Sequence, residues 1–310
     1  MTHAHHTPLR VHAALLLVAT LFSLNFIISK IALGTFTPLT FAYLRVAGSA
    51  IVLNLVFPAR ASEPLSRADS WRLAGYSMLG IVLNQCLFLA GLALTSAHVS
   101  AILMTTLPVF ALGAAIVLGR ERATATKAGG IALAAAGALL VVGGEGLAGS
   151  TKSFLGDLLL LGNSLAYALY LVLAKPLLTR LSPRHAIGRI FAIASVLMLP
   201  IAAWPLVHEH WSAIPTRSWI ALVIVILGPT VAAYLLSAWA LARADSSLVA
   251  SYTYVQPFLA AILASAFLGE RIRTVVVIAA ALIFAGVFFA SRPPRLLARS
   301  RQAEDLVQRP

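Results

Sequence analysis

Long apolar runs separated by short polar stretches organise this chain, and ten of the runs are long enough to cross a bilayer as helices. A hydrocarbon core of about 30 Å needs about 20 residues at a rise of about 1.5 Å each. The runs fall at 11–33, 38–57, 71–94, 96–118, 126–143, 154–175, 186–206, 218–241, 247–268 and 273–291. The pattern predicts an all-α integral membrane protein with ten transmembrane helices. The joins at 34–37 (GTFT) and 95–97 (TSA) are the tightest and predict antiparallel hairpins.

Composition strengthens this picture. The 310 residues are 60% hydrophobic and 11% charged, with a mean hydropathy of +0.92. Soluble domains are roughly 45–50% apolar and about 25% charged. The first run has no small-residue cleavage site behind it, so it reads as a span rather than a removable signal. One cysteine, Cys86, lies inside an apolar run, which excludes an intramolecular disulfide and a cysteine-based metal centre. The net charge of +13 does not point to nucleic acid, because the basic residues are scattered through the breaks and form no patch. They point to topology. With ten spans, 17 Lys and Arg fall on the side of the two termini, 5 on the other side, and Arg45 within a span. The positive-inside rule places both termini in the cytoplasm.

The pattern also repeats. LPVFALGAAIVLGRE at 107–121 and VQPFLAAILASAFLGE at 255–270 place Pro108 and Pro257, and Glu121 and Glu270, 149 residues apart. ALTSAHVSAILMTTLP aligns with ARADSSLVASYTYVQP at the same spacing. Upstream, Lys30 corresponds to Lys175, Pro38 to Pro183, and Arg45 to Arg189 one place off. Each half therefore holds five spans, 11–143 and 154–291, with a basic cytoplasmic tail at 292–310. Five is odd, so the second half enters the membrane inverted. Inverted repeats are characteristic of secondary transporters that bind solute near the midplane.

These features together resemble the EamA-type members of the drug/metabolite transporter superfamily: two five-span halves, an early Lys, an Arg in the second helix, a Pro in the fourth helix and a Gly-Glu closing it. The resemblance implies a ten-helix exporter or permease in the cytoplasmic (inner) membrane for small metabolites, such as an amino acid or an amphipathic drug, working by alternating access and without a cofactor. The first helix departs from the usual pattern. It reads FSLNFIISK, with Ser23 where many relatives carry Trp.

Polar residues within spans are costly and face a cavity or a partner helix. Asn163, Tyr167 and Tyr170 fall at i, i+4 and i+7 on one face of the sixth helix. The other candidates for substrate binding are Asn25, Asn84, Gln85, Thr105, Tyr234, Ser237, Trp239, Tyr252, Tyr254 and Gln256, with Ser251 beside them. Such a lining suits a small neutral or zwitterionic solute with an apolar part. His98 is the candidate for proton coupling, and Pro108 and Pro257 are candidate hinges. Arg45 reads as structural. Asp157 reads as complementing a helix N-terminus, and Glu121 and Glu270, with arginines beside them, as pairs that fix helix ends. Trp204, Trp211 and Trp219 read as headgroup anchors. The Gly- and Ala-rich fifth and tenth helices suit close scaffold packing or a homodimer contact.

The alternatives are a membrane-embedded enzyme, a channel and a receptor. No HExxH, intramembrane acid cluster or GxSxG is present for an enzyme, and HEH at 208–210 lacks the two-histidine spacing of a zinc protease. No repeated filter or ring of like charges suggests a channel. No Walker A sequence suggests ATP use.

Overall fold

The computed structural model describes residues 9–57, 66–146, 151–178, 183–241, 243 and 252–290. All regular structure among these residues is helical. Helix α1 spans Leu9–Ala32 and α2 spans Pro38–Val56. Helix α3 covers Arg67–Leu94 and contains a π-helical stretch, Met78–Leu83. Helix α4 covers Ala97–Val117 and is interrupted at Thr105 and Thr106, between Ala97–Met104 and Leu107–Val117. Helices α5, α6 and α7 span Ala125–Gly146, Thr151–Leu178 and Pro183–His208. Helix α8 begins as Thr216–Val225, passes through a π-helical stretch Ile226–Ala232, and ends as Ala233–Leu241. A 3-10 turn, Tyr252–Val255, leads into α9, Gln256–Leu268, and α10 is Thr274–Ala290.

Eight of these helices are long and apolar enough to cross a membrane, while α9 and α10 are shorter apolar helices. The first part of the ninth run, 247–251, lies outside the described residues, as does the tail. The outward surface carries Val117 at 87% exposure and Phe267 at 68%, among many other exposed large apolar side chains. Apolar surface on this scale fits lipid rather than water. The chain is a multi-pass membrane protein.

Close packing of backbones organises the bundle. Helices α5 and α10 meet through Gly130, Gly137 and Gly286; a Cβ at Gly286 would stand 2.4 Å from the Ala134 nitrogen and 2.6 Å from the Gly130 oxygen. Gly91 of α3 and Gly156 of α6 oppose one another in the same way. In hydrocarbon, helices gain little from apolar burial, so small residues that admit close dispersion contact set the pairs. The small-residue faces of α5 and α10 therefore meet within one chain. Helix α2 packs on α7, α4 on α9, and α1 on α8 and α9, while α6 packs on α3 and α4.

The short join at 34–37 does not make α1 and α2 close neighbours, contrary to the hairpin expectation; α1 goes to α8 and α9, and α2 to α7. The turn is held instead by distant residues. Glu209 accepts hydrogen bonds from the Thr37 backbone nitrogen at 3.1 Å and its hydroxyl at 2.7 Å, and Thr35 donates to Ser218 at 2.8 Å. The turn at 95–96 is held likewise. Lys30 donates to the carbonyls of Leu92, at 2.6 Å, and of Thr95, at the C-terminal end of α3. Glu270 accepts from the Ala97 and His98 backbone nitrogens at 2.8 and 3.2 Å, and from His98 Nδ1 at 2.7 Å. Both charges complement the helix ends they touch. Glu121 pairs with Lys127 at 2.7 Å, rather than with a neighbouring arginine. Asp157 lies beyond the first turn of α6 and is fully buried, so it is a core residue rather than a helix-start residue.

Two outcomes test this account. Gly286→Leu should lower the melting temperature in detergent, since overpacking costs roughly 1–3 kcal/mol, whereas exposed Gly75→Ala should not; equal stability of Gly286→Leu and wild type would contradict the α5–α10 contact. The second concerns pH. Burial alone would raise the Glu270 carboxyl, but the hydrogen bonds from His98 and from the Ala97 and His98 backbone hold it below its ordinary range. Its stabilisation is therefore present above the unfolded value of about 4.3 and is lost as pH falls through the lower folded value. The melting-temperature gap between wild type and Glu270→Gln should be widest near neutral pH and should close below about pH 4; a gap constant over that range would contradict the assignment.

Candidate functional site

The interior of the bundle holds a cavity of about 270 Å³. Seven helices supply its wall. Helix α1 presents Phe22, Asn25 and Phe26 at i, i+3 and i+4, which is one helical face. Helix α2 adds Arg45, and α3 adds Asn84, Gln85 and Phe88 just after its π-helical stretch. Helix α4 contributes Met104, Thr105 and Leu107 where it is interrupted, and α6 contributes Asn163 and Tyr167. Tyr234 comes from α8, directly after the second π-helical stretch, and Gln256 and Pro257 from the start of α9. The irregular backbone thus lies beside the cavity, where freed backbone groups can find partners.

A buried polar network positions the amides. Asn163 Nδ2 donates to the Asn84 carbonyl at 2.7 Å, and Gln85 Nε2 donates to Asn84 Oδ1 at 3.1 Å. These bonds fix which way the amides face and leave Asn163 Oδ1 and Gln85 Oε1 buried with no protein partner. Asn25 Oδ1 accepts from Ser29 at 3.3 Å, and the Thr105 hydroxyl donates to the Ile102 carbonyl at 2.6 Å. Ser23, fully buried, donates to the carbonyls of Ala19 and Gln256 and so ties α1 to the start of α9. Arg45 is 96% buried; its Nε donates to Thr230 at 3.0 Å, and its Nη1 has no partner.

Aromatic groups complete the wall. Phe26 and Phe88 meet edge to face with centroids 5.6 Å apart. Tyr234 sits between Phe22 and Phe191 at 6.2 and 6.1 Å, and its hydroxyl is paired with that of Tyr167.

Among the candidates drawn from the sequence, Asn25, Asn84, Gln85, Thr105, Asn163, Tyr167, Tyr234, Gln256 and Pro257 line the cavity. Tyr170 does not; its ring lies over Gly80 and against Tyr167, at 5.5 Å. Ser237 is outside the lining, and Trp239 stacks under the Arg243 guanidinium at 4.5 Å. Tyr252 bonds His12 Nδ1 at 2.8 Å, and Tyr254 packs on Phe284. His98 is bound to Glu270 rather than facing the cavity. Ser251 lies outside the described residues. Pro108 and Pro257 both stand in the first turn of a helical segment, so neither removes an internal ladder bond. Each follows an irregular stretch, Thr105 and Thr106 before Pro108 and the 3-10 turn Tyr252–Val255 before Pro257. The sequence reading missed Phe22, Phe26, Phe88 and Met104, and took Arg45 as structural. The Phe22, Asn25, Phe26 spacing was the signal available for the first two.

Comparison with known proteins agrees with this architecture. The sequence model of the EamA-like transporter family matches twice, over residues 9–143 and 154–292. An uncharacterized transporter of Archaeoglobus fulgidus is 28% identical over 284 residues, which is 91% of this chain and 97% of that protein. The uncharacterized transporter YyaM of Bacillus subtilis is 24% identical over 288 residues, 91% of this chain and 94% of that protein. A protein of known crystal structure has a similar fold, with a TM-score of 0.60 at 19% identity, covering 94% of this chain and 98% of that one. With family matches over both halves, the chain belongs to the EamA-like transporter family, within the drug/metabolite transporter superfamily.

Proposed function

We propose that the protein is a secondary carrier, an exporter or permease, that moves a small organic solute across the cytoplasmic membrane by alternating access. The observation that carries this reading is the cavity, which is walled by both halves of the chain and holds amides, hydroxyls and aromatic rings inside an apolar bundle. Its volume of about 270 Å³ is near the lower end of ligand pockets, roughly 300–1,000 Å³. That size fits a small metabolite.

Ten spans in two inverted halves are part of the same proposal. The packing supports it: α1 lies against α8 and α9 as α6 lies against α3 and α4, and α2/α7, α4/α9 and α5/α10 are paired across the halves. The two π-helical stretches, starting at Met78 and Ile226, sit at nearly the same position in each half. The family match to each half separately supports it as well. In this reading Glu209 and Glu270 close the outer face by holding turns of the first half to loops of the second. Release of these contacts, with bending at the turns before Pro108 and Pro257, opens it. Relatives named as transporters support a carrier over an enzyme. A homodimer would use the outward faces of α5 or α10, where Leu139, Val277 and Ile278 are exposed.

Solute flux into proteoliposomes, with and without a pH gradient, tests the carrier. Saturable uptake is expected, and linear, unsaturable flux would favour a channel; gradient dependence would implicate His98. Tyr167→Ala should reduce transport at least ten-fold more than Trp211→Ala at equal expression, and the reverse order would remove Tyr167 from the solute path. Topology reporters fused at 150 and 300 should give opposite signals, and equal signals would refute the inverted halves.

A further inference from the structure

Among the described residues Arg45 is the one charged side chain in the cavity wall, and none of them carries a charge that pairs with it. It is 96% buried among apolar helices, a setting that ordinarily demands a counter-charge. Among the described residues no carboxylate pairs with it: Asp69 goes to Arg72, Glu270 to His98 and Glu121 to Lys127. Its Nε reaches only the neutral Thr230 hydroxyl, and Nη1 is an orphan donor. A guanidinium offers five N–H donors in a planar fork matched to a carboxylate. A purely structural arginine would use that fork on backbone carbonyls, as Lys30 uses its ammonium on those of Leu92 and Thr95. Arg45 does not.

The opposite chemistry is present in the same wall. Gln85 Oε1 and Asn163 Oδ1 are buried acceptors with no donor. They lack a hydroxyl or N–H, while Arg45 lacks an anion. The same wall carries the rings of Phe26, Phe88 and Tyr234.

We infer that the solute is a small organic monocarboxylate with a hydrogen-bond donor on an apolar body, and that Arg45 holds its carboxylate. The inference rests on the carrier reading for its site. Charge balance selects the class. A monoanion neutralises the wall, a zwitterion leaves one positive charge buried, and a cation adds a second. Thr230 positions the guanidinium through Nε, and the amide oxygens of Gln85 and Asn163 take the solute's donor.

A matched pair of probes tests this: phenyllactate, which has the carboxylate, hydroxyl and ring, and its neutral carboxamide. Phenylalanine supplies the zwitterion and tetraphenylphosphonium the cation. Ligand-induced melting shifts in detergent report binding, and counterflow in proteoliposomes reports transport. Phenyllactate should bind at least ten-fold tighter than the carboxamide and than phenylalanine. Arg45→Gln should abolish that preference while retaining a monodisperse protein with a cooperative melt. Arg45→Lys should keep the preference for the carboxylate at reduced affinity. Should Arg45→Gln fail to fold, Thr230→Val, which frees Nε, should weaken phenyllactate more than the carboxamide. Equal binding of acid and amide by folded wild type, tighter binding of phenylalanine or the cation, or no binding of phenyllactate would each overturn the assignment. Arg45-dependent binding without counterflow would uphold the site and refute the carrier. Counterflow confined to the cation or the amide would uphold the carrier and refute the site.

Discussion

Hydrocarbon supplies no hydrogen-bond partners, and this absence governs the whole structure. It makes every described element helical, because a helix satisfies its own backbone. It also sorts the polar side chains into two kinds of place. At helix ends, unpaired N–H and C=O groups remain to be met, and Lys30, Glu209 and Glu270 meet them from elsewhere in the fold. In mid-bundle, a polar group has a use only against another polar group or a guest. Asn84, Asn163 and Gln85 bond each other and still leave acceptors over. Arg45 leaves a donor over.

The same solvent removes most of the gain from burying one apolar side chain against another. Helix pairs are therefore fixed by how closely backbones can approach. Gly130, Gly137 and Gly286 make α5 and α10 a seam, and Gly91 with Gly156 makes another between α3 and α6. The helices that wall the cavity are less regular. Helices α3 and α8 widen into π-helix beside it, and α4 loses its regular turn at Thr105. The bundle thus combines tightly apposed regular helices with cavity-wall helices that are irregular where they meet the site.

Much of this could be read from the chain. Apolar run length located the helices, and the break between α3 and α4 fell where the TSA segment placed it. Polar residues inside spans indicated most of the polar lining. The failures have physical causes. Spacing alone put Tyr170 on the face of Asn163 and Tyr167, but Gly80 leaves a space that the Tyr170 ring fills. Loop length suggested that α1 and α2 pack together, yet ties from Glu209 and Ser218 draw their turn toward α8. Phe88 was invisible because an aromatic residue in a span matches lipid, core and cavity equally well, while Phe22 and Phe26 showed only in their spacing around Asn25. Arg45 could be placed only by seeing which groups fail to meet it.

The acid caps at the two turns have a bearing on how such ties part. A carboxylate on a helix N-terminus and a water molecule there offer the same service to the same N–H groups. If the Glu270 contacts with Ala97 and His98 part at an aqueous surface, water takes over each bond, and the net difference is about 1.5–3 kcal/mol per bond to the charged carboxylate. Breaking the same contacts in hydrocarbon would strand the groups at several times that cost. In the carrier proposed above, polar ties placed at the rim can part and re-form against water, which the same ties set within the apolar layers could not.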